Sequence, residues 1–476
     1  MSIRLIPTGL DGFDRVLGGL LRGGLIILAG QAGTGKTILS AKILYEGAYR
    51  YGEPGVYASF AEGKPEFYSN MKGLGLDFEE LEKVGLFTYL DLIPVSRLGA
   101  SSVAELIIDK IDKLKAKRLV VDSFSVLAHT FKDEAELRIF VHSILSRICK
   151  DLDCTTILVE EIPIGTLRVG FGVEEFVADA LIVLKRGFFD RRLLRRLEIV
   201  KLRGIELKES RFVFTLSGGV KVYSPFSLPE REGLRLANPP EDLSDNIYST
   251  GIRDLDRVIG GYPKGSTIIL EIDPKVEDIV YELSLLLPLT YSFICKRRPV
   301  IIVPSLNTMF KDIISYCKYI ECPSGEAREL LRVVEVGLRR EKPSHPCLIT
   351  LEGKDIDKDH EALLEYLRRF MDGRHPPLAI IGLDTLIANY GVEASIKAVS
   401  LSIHETRMSG GLSIILAKPI HHRIAEVIPA ISRIHLKLSR EHGTHLLYGV
   451  KPRTELYALE VDTSRDYIET KLTSIR

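Results

Sequence analysis

Leu25-Ile-Ile-Leu-Ala29-Gly30-Gln31-Ala32-Gly33-Thr34-Gly35-Lys36-Thr37-Ile38-Leu39 decides the fold. The five leading apolar residues have the length of a buried strand, and Ile38, Leu39, Ile43 and Leu44 recur at helical spacing behind the turn. Between them, Gly30 to Thr37 fits G-x-x-x-x-G-K-[ST] in full. The glycines let the backbone turn tightly enough for successive N–H groups to face phosphate oxygens. The helix opening near Lys36 adds its positive end to the same anion. Gly30, Gln31, Ala32, Gly33, Thr34, Gly35, Lys36 and Thr37 are therefore the candidate phosphate cradle. Lys36 is placed to reach the β- and γ-phosphates, and the Thr37 hydroxyl to ligate Mg²⁺. The expected ligand is a nucleotide with Mg²⁺.

Outward from this loop, strands and helices alternate. Val56–Phe60, Arg118–Asp122, Cys154–Glu160 and Ala180–Lys185 read as strands. Ser102-Val-Ala-Glu105 is a capping box opening one helix, and Leu137, Phe140, Val141, Ile144, Leu145 and Ile148 mark another. Leu194–Leu202 and Arg211–Leu216 read as a closing hairpin. Such alternation predicts an α/β fold with a mainly parallel sheet covered by helices on both faces.

The chain also repeats itself. Thr8 to Leu28 reads TGLDGFDRVLGGLLRGGLIIL and Thr250 to Leu270 reads TGIRDLDRVIGGYPKGSTIIL, identical without a gap at 11 of 21 positions. An interval of 242 residues is far longer than a solenoid repeat and predicts a tandem domain duplication. The polar, Pro-containing stretch Ser227 to Asp245 separates the copies, giving domains at 1–228 and 246–476 with a linker at 229–245. The second copy has lost the cradle. Gly30, Gly33, Gly35, Lys36 and Thr37 become Ile272, Lys275, Glu277, Asp278 and Ile279, and Glu277 and Asp278 repel phosphate.

Composition narrows the classes further. At 476 residues, with 45% hydrophobic and 27% charged, each half has enough apolar sequence for its own core. The 64 Lys and Arg balance 64 Asp and Glu, which excludes a globally basic nucleic-acid binder. The six cysteines lack metal-site spacing and are expected to be reduced and mostly buried. No signal peptide or membrane-spanning run is read, and the expected location is the cytoplasm. One Gln and five Asn in the whole chain suggest a heat-adapted source. Lys185 to Arg211 holds ten cations against four acids, a local excess read as a solvated hairpin in preference to a DNA-contacting surface. The loop at 165–172 carries a single charge, which makes it a poor DNA binder.

Asp122 ends an apolar strand, the position from which a carboxylate holds Mg²⁺ through water beside Thr37. Glu62 follows the second strand and is the carboxylate able to orient or deprotonate an attacking water. Taken together, PTGLDGFDRVLGGL, GQAGTGKT, GEPGVYASFAE, RLVVDSFSVL, FGVEEFVADALIVLK and LRRLEIVKLRG resemble the KaiC-like branch of RecA-type ATPases. The likeness covers roughly residues 5–225, and the second half resembles the same domain in degenerate form. It implies tandem RecA-like P-loop domains, ATP held at subunit interfaces, and a homo-oligomer, often a hexameric ring. The family carries two adjacent glutamates where this chain has Ala61 and Glu62, so Glu62 alone is the catalytic candidate. Lys201 and Arg203 stand where the family supplies two cations to a neighbouring subunit's γ-phosphate. In the second copy Glu62 aligns approximately with Asn307, and Asp384, Lys451 and Arg453 are candidate relics of Asp122, Lys201 and Arg203. Glu160 stands where RecA-like folds place a γ-phosphate sensor. The leading expectation is a slow oligomeric ATPase with a pseudo-ATPase second domain for assembly or regulation, without the autokinase cycle of clock-type KaiC. A nucleotide-dependent switch acting on a regulatory protein partner, and a DNA-stimulated motor, stay open as alternatives.

Overall fold

The computed structural model describes residues 4–94, 100–129, 131, 134–163, 165, 177–227, 234–319, 329–337, 345–370, 375–418, 432–463 and 467–476. Two compact units emerge: Met1–Pro225 with His442–Thr444 and Ser474–Arg476, and Phe226–Glu441 with His445–Thr473.

In the first unit, strand β1 (Leu25–Gly30) is buried at every position because it has a strand on each side. Helix α1 (Lys36–Tyr51) follows, closed by Gly52 in the left-handed conformation with its N–H on the carbonyls of Gly47 and Ala48. Then come β2 (Gly55–Ser59), α2 (Lys64–Lys72), β3 (Phe87–Asp91), α3 (Ala100–Leu114) and β4 (Arg118–Asp122). They are followed by β5 (Thr155–Glu161), β6 (Ala180–Phe189), β7 (Arg192–Leu202), β8 (Arg211–Thr215) and β9 (Lys221–Val222). Among the described residues the sheet order is β9-β8-β7-β6-β1-β5-β4-β2-β3, parallel from β6 to β3 and antiparallel from β6 to β9. Apolar clusters fill both faces.

The hairpin expected between Leu194–Leu202 and Arg211–Leu216 is present, but a longer one precedes it. β6 runs four residues past Lys185 and turns into β7 at Asp190 and Arg191, both at positive φ. Two successive positive φ values match the twist of a two-residue hairpin, normally carried by Asn-Gly or Asp-Gly; Asp-Arg gives no such sequence signal. The loop at 165–172 and the linker residues 228–233 lie outside the described residues, Gly165 excepted. Among the described cysteines Cys149, Cys154 and Cys347 are buried, in line with the mostly buried placement expected, and Cys295 is exposed.

The second unit rebuilds the same order. Its strands are β10 (Ser266–Ile272), β11 (Val300–Val303), β12 (Leu331–Val336) and β13 (Leu348–Leu351), followed by α4 (Ile356–Phe370). Next are β14 (Leu378–Gly382), α5 (Leu383–Tyr390), α6 (Val392–Ser409) and β15 (Leu412–Ala417). β16 (Ile434–Glu441), β17 (Thr444–Lys451), β18 (Tyr457–Asp462) and β19 (Tyr467–Ser474) complete it. The order β19-β18-β17-β16-β10-β15-β14-β11-β12-β13 matches the first sheet strand for strand, with β13 added beyond β12 and Arg235–Leu236 beyond β19. Helix Asp278–Cys295 is long and apolar enough to cross a membrane, yet Leu287–Ile294 are buried inside this unit, as in a core helix.

The repeated sequence encodes the entry to each unit. Thr8 N and Oγ1 and Gly9 N donate to the Asp14 carboxylate at 2.7–3.0 Å. Ser249 Oγ and Thr250 N do the same to Asp256 at 2.6 and 2.7 Å. Gly9 and Gly251 have φ of 76° and 81°, and a Cβ there would sit 2.3 Å from Glu46 and 2.5 Å from the Pro288 backbone. Only glycine fits both demands.

The buried Arg118 ties β4 to α1 and to the N-terminal segment. Its Nε and Nη2 both donate to Glu53 Oε2 at 2.8 and 2.6 Å, and the guanidinium also donates to the carbonyls of Ile43 and Pro7 at 2.9 and 2.8 Å. Arg118→Met strands a carboxylate and two carbonyls. Chemical denaturation is expected to show the first unit destabilised by roughly 2–4 kcal/mol.

Candidate functional site

The carboxyl ends of β1, β2, β4 and β5 meet at one edge of the first sheet, where a doubly covered parallel sheet presents ligands to its loops. The phosphate loop leaves β1 there. Gly33 and Gly35 have φ of 73° and 102°, and a Cβ on Gly35 would approach Leu216 to 2.9 Å. The Lys36 ammonium donates to the carbonyls of Gly30 and Gln31 at 2.8 and 3.1 Å, which holds it over the loop. Thr34 Oγ1 closes the turn on the Gln31 carbonyl at 2.8 Å. Burial lowers the Lys36 pKa, opposed by the charges of Glu161 and Asp122.

Thr37 and Asp122 come together as expected. Thr37 Oγ1 donates to Asp122 Oδ2 at 2.7 Å, and Tyr57 on β2 donates to the same oxygen at 2.6 Å. Asp122 is buried, and desolvation raises its pKa, opposed by these two hydrogen bonds and by Lys36. A hydroxyl beside a carboxylate is an all-oxygen donor pair, which suits Mg²⁺ that keeps most of its water and takes phosphate oxygens. Among the described residues no group of three or more His, Cys, Asp or Glu forms a cage, so any ion held here depends on such outside ligands.

Glu62 lies on the same edge, three residues beyond Ser59, which pairs with Asp122 in register. Its backbone is fixed by Ser59 Oγ (3.1–3.2 Å) and by Tyr89 OH on its carbonyl (2.6 Å). The side chain accepts one hydrogen bond from Asn70 Nδ2 at 3.2 Å. Burial raises the Glu62 pKa, and the charge of Asp122 adds to the rise.

Lys201 and Arg203 are not brought to this edge. Gly30 pairs with Leu184, whereas Lys201 pairs with Leu181, three residues back along β6. Arg203 lies further back still, paired with Asp179 at 3.5 Å. Along the strands and across two of them, Lys201 is on the order of 14 Å from the loop.

Three residues escaped the sequence reading. Arg195 on β7 donates to the carbonyls of Gly33 and Thr34 at 3.2 Å each, so a cation of the same chain clamps the loop. Its only sequence signal is membership of the basic run. Tyr57 looks like an ordinary strand residue until β2 and β4 pair. Glu160 is buried within β5, and it is Glu161, the last residue of that strand, whose charge acts on Lys36.

In the second unit the charges of this edge are exchanged. Asp278, aligned with Lys36, binds Lys418 Nζ at 2.7 Å, and the same ammonium lies 3.6 Å from Asp384. Register gives Lys418 the place of Glu161: Ala29 pairs with Glu160, and Glu271 pairs with Ala417, one residue before Lys418. Glu277 is held by Arg440 at 2.7 Å. Asp384 falls inside α5, two residues beyond the end of β14, whereas Asp122 is the last residue of β4. Asn307 is exposed, and Lys451 ends β17 with its Nζ on the Ser432 carbonyl at 2.9 Å.

Fold and loop together define the first unit as a RecA-like P-loop nucleotide-binding domain. A family model described as "ATPase: KaiC" matches residues 6–227. A circadian clock oscillator protein KaiC of Prochlorococcus marinus is 31% identical over 284 residues, 57% of this chain and 54% of that protein. The KaiC of Thermosynechococcus vestitus is 30% identical over 279 residues, 56% of this chain and 52% of its own. A crystal structure of a KaiC-like protein from the hyperthermophilic archaeon Pyrococcus horikoshii is 32% identical and is covered completely, over 47% of this chain, with a TM-score of 0.42. The chain thus carries, in residues 6–227, a KaiC-like ATPase domain. It spans about half the length of the curated relatives it matches.

Lys418→Met leaves Asp278 and Asp384 facing one another without their ammonium. Denaturant titration is expected to show the second unit destabilised by about 2–4 kcal/mol, with part of the loss recovered in the Lys418→Met/Asp278→Leu double variant.

Proposed function

We propose that the chain binds ATP with Mg²⁺ in residues 1–228 and hydrolyses it slowly, and that residues 246–476 are a pseudo-ATPase domain serving assembly or regulation. The observation that carries this reading is the hydrogen-bonded Thr37–Asp122 pair, with Lys36 and Glu62 on the same sheet edge. Residues 30–37 hold the phosphates, with Arg195 steadying the loop from behind. Thr37 and Asp122 hold the ion, which when bound neutralises charge on the β- and γ-phosphates. Glu62 orients a water whose oxygen bonds to the γ-phosphorus as the bond to the β–γ bridging oxygen breaks. The proton of that water passes to the carboxylate and then to the released phosphate. A carboxylate with a raised pKa is a better acceptor for that proton than a fully solvated one. With Ala61 beside it, Glu62 lacks a second carboxylate to sharpen this role, which supports slow turnover.

The distance of Lys201 and Arg203 from their own loop supports a role in trans. In a homo-oligomer such as a hexameric ring, they stabilise the γ-phosphate held by a neighbouring copy, worth about 10³-fold or more in rate. The charge exchange at Asp278 and Lys418 supports a second domain that takes no nucleotide. Much of the basic excess of Lys185–Arg211 is used internally. Lys185 and Arg211 pair with Glu198, Arg192 with Asp190, and Arg195 binds the phosphate loop. This weighs against a DNA-driven motor. Ala61 favours one other reading, a cytoplasmic nucleotide-dependent switch acting on a protein partner with negligible hydrolysis.

Steady-state hydrolysis at elevated temperature decides between them. Wild type is expected to turn over, with an acidic limb above the ordinary glutamate value because the Glu62 pKa is raised. Glu62→Gln should lose at least about 10²-fold in kcat while keeping ATP affinity. Mixing Glu62→Gln with Arg203→Ala chains should restore part of the activity, since one mixed interface then holds both wild-type groups. Binding and assembly without turnover in wild type would leave only the switch.

A further inference from the structure

The two units differ most in the layer between the sheet and the helices that follow its outer strands. In the first unit that layer is filled by Phe124 and Phe140 together with Leu, Ile and Val side chains from α3 and its neighbours. In the second unit the corresponding layer is Leu383, Leu386, Val399, Ile403 and Leu367 over Ile301 and Val303, with no buried aromatic among the described residues. The sheet beneath it is also wider. β13 adds a strand to that flank, about 4.8 Å of extra width, while α4, α5 and α6 occupy the same stretch of chain as the helices of the first unit. Smaller side chains under a roof that must span a wider floor leave space.

That space is a pocket of about 400 Å³, partly open to solvent. Its floor is apolar strand residues, Ile301, Val303, Ala379 and Ile381, and its roof is formed by Leu363 of α4 and Ala398 of α6. Protein interiors hold few voids larger than a water molecule, and an apolar void of about 150 Å³ already stays dry and accepts a small hydrocarbon. Pockets of roughly 300–1,000 Å³ with apolar walls and a few placed polar groups are the size and composition of small-molecule sites. Polar groups do line one side. Asp359 accepts from Glu352 N, Gly353 N and Tyr390 OH at 3.0, 2.8 and 2.8 Å, so it is spent on structure. His360 Nε2 lies 3.2 Å from Glu405, and that hydrogen bond raises the histidine pKa. This pair remains at the wall, with Arg368, Ser402, Thr406 and Ser409 also lining the space, as the polar side an entering polar head would meet.

We infer that the second unit is a binding domain for a small, mainly apolar molecule with a single polar head, seated between the β11/β14 floor and α4 and α6. The site uses none of the residues at the phosphate-loop edge, so it stands or falls independently of ATP hydrolysis. The duplicated domain has thus exchanged a nucleotide site at the strand ends for a ligand site under its helices.

The neutral fluorophore N-phenyl-1-naphthylamine, titrated into the full chain, tests this. Wild type is expected to enhance its emission saturably at one dye per chain. Ala379→Phe and Ala398→Phe, which project a ring into the cavity from the floor and from the roof, should each weaken binding at least tenfold. Neither should lower the thermal midpoint or ATP affinity. Absence of saturable binding overturns the inference, as does binding insensitive to both substitutions, which would be adsorption at the surface. Unfolding of the second unit by both substitutions also overturns it, because a ring that cannot be accommodated means there is no open space to fill.

Discussion

A buried carboxylate organises the first unit. Asp122 ends β4 inside the sheet edge, where an isolated charge is costly, and it is retained because Thr37 and Tyr57 both donate to it. Those two bonds fasten the first turn of α1 to β4 and β2, and so fix the direction in which the phosphate loop opens. Lys36 is balanced by the same carboxylate and by Glu161. The loop, the Thr37–Asp122 pair and the candidate base thus share one electrostatic frame, in which the charges of Asp122 and Glu161 oppose the cost of burying Lys36.

The second unit arranges the charges of that frame differently. A lysine-to-aspartate exchange at position 278 would leave a bare negative cluster, but the strand that carries Glu161 in the first unit ends in Lys418 in the second. Lys36 with Asp122 and Glu161, and Asp278 with Asp384 and Lys418, each sum to one negative charge, so the net charge is kept while two of the three signs are reversed. An ammonium of the unit's own sits among the acids at this edge. The entry turn has been kept by contrast: Asp14 and Asp256, and Gly9 and Gly251, perform the same task in each unit. The elements that both copies retain are those of folding, and the divergent ones are those of ligand chemistry.

Much of this was legible in the sequence, for physical reasons that can be named. The phosphate loop is contiguous, its glycines are demanded by positive φ, and its flanking strand and helix are strongly periodic, so Gly30–Thr37, Asp122 and Glu62 could be placed on one edge without coordinates. The duplication was visible because its strongest identities sit in one gap-free block at the start of each unit. Strand boundaries were accurate where apolar runs are buried on both faces, and failed at β6, where the strand continues into a partly exposed hairpin with polar alternation.

What only the tertiary structure decided depends on contacts between segments distant in sequence. Arg195 is one cation in a basic run until the β6–β7 hairpin folds it onto Gly33 and Thr34. Tyr57 is an apolar-pattern residue until β2 pairs with β4 and sets its hydroxyl against Asp122. Lys418 lies 140 residues from Asp278, and the gaps between the two copies hide that it occupies the place of Glu161. The cavity arises from the width of a sheet and the volumes of side chains facing one another across it. Local sequence fixes which backbone conformations and ligands a segment favours, because propensity and spacing act over a few residues. Charge neutralisation and packing are sums over whatever the fold brings together, and those sums exist only once the chain has folded.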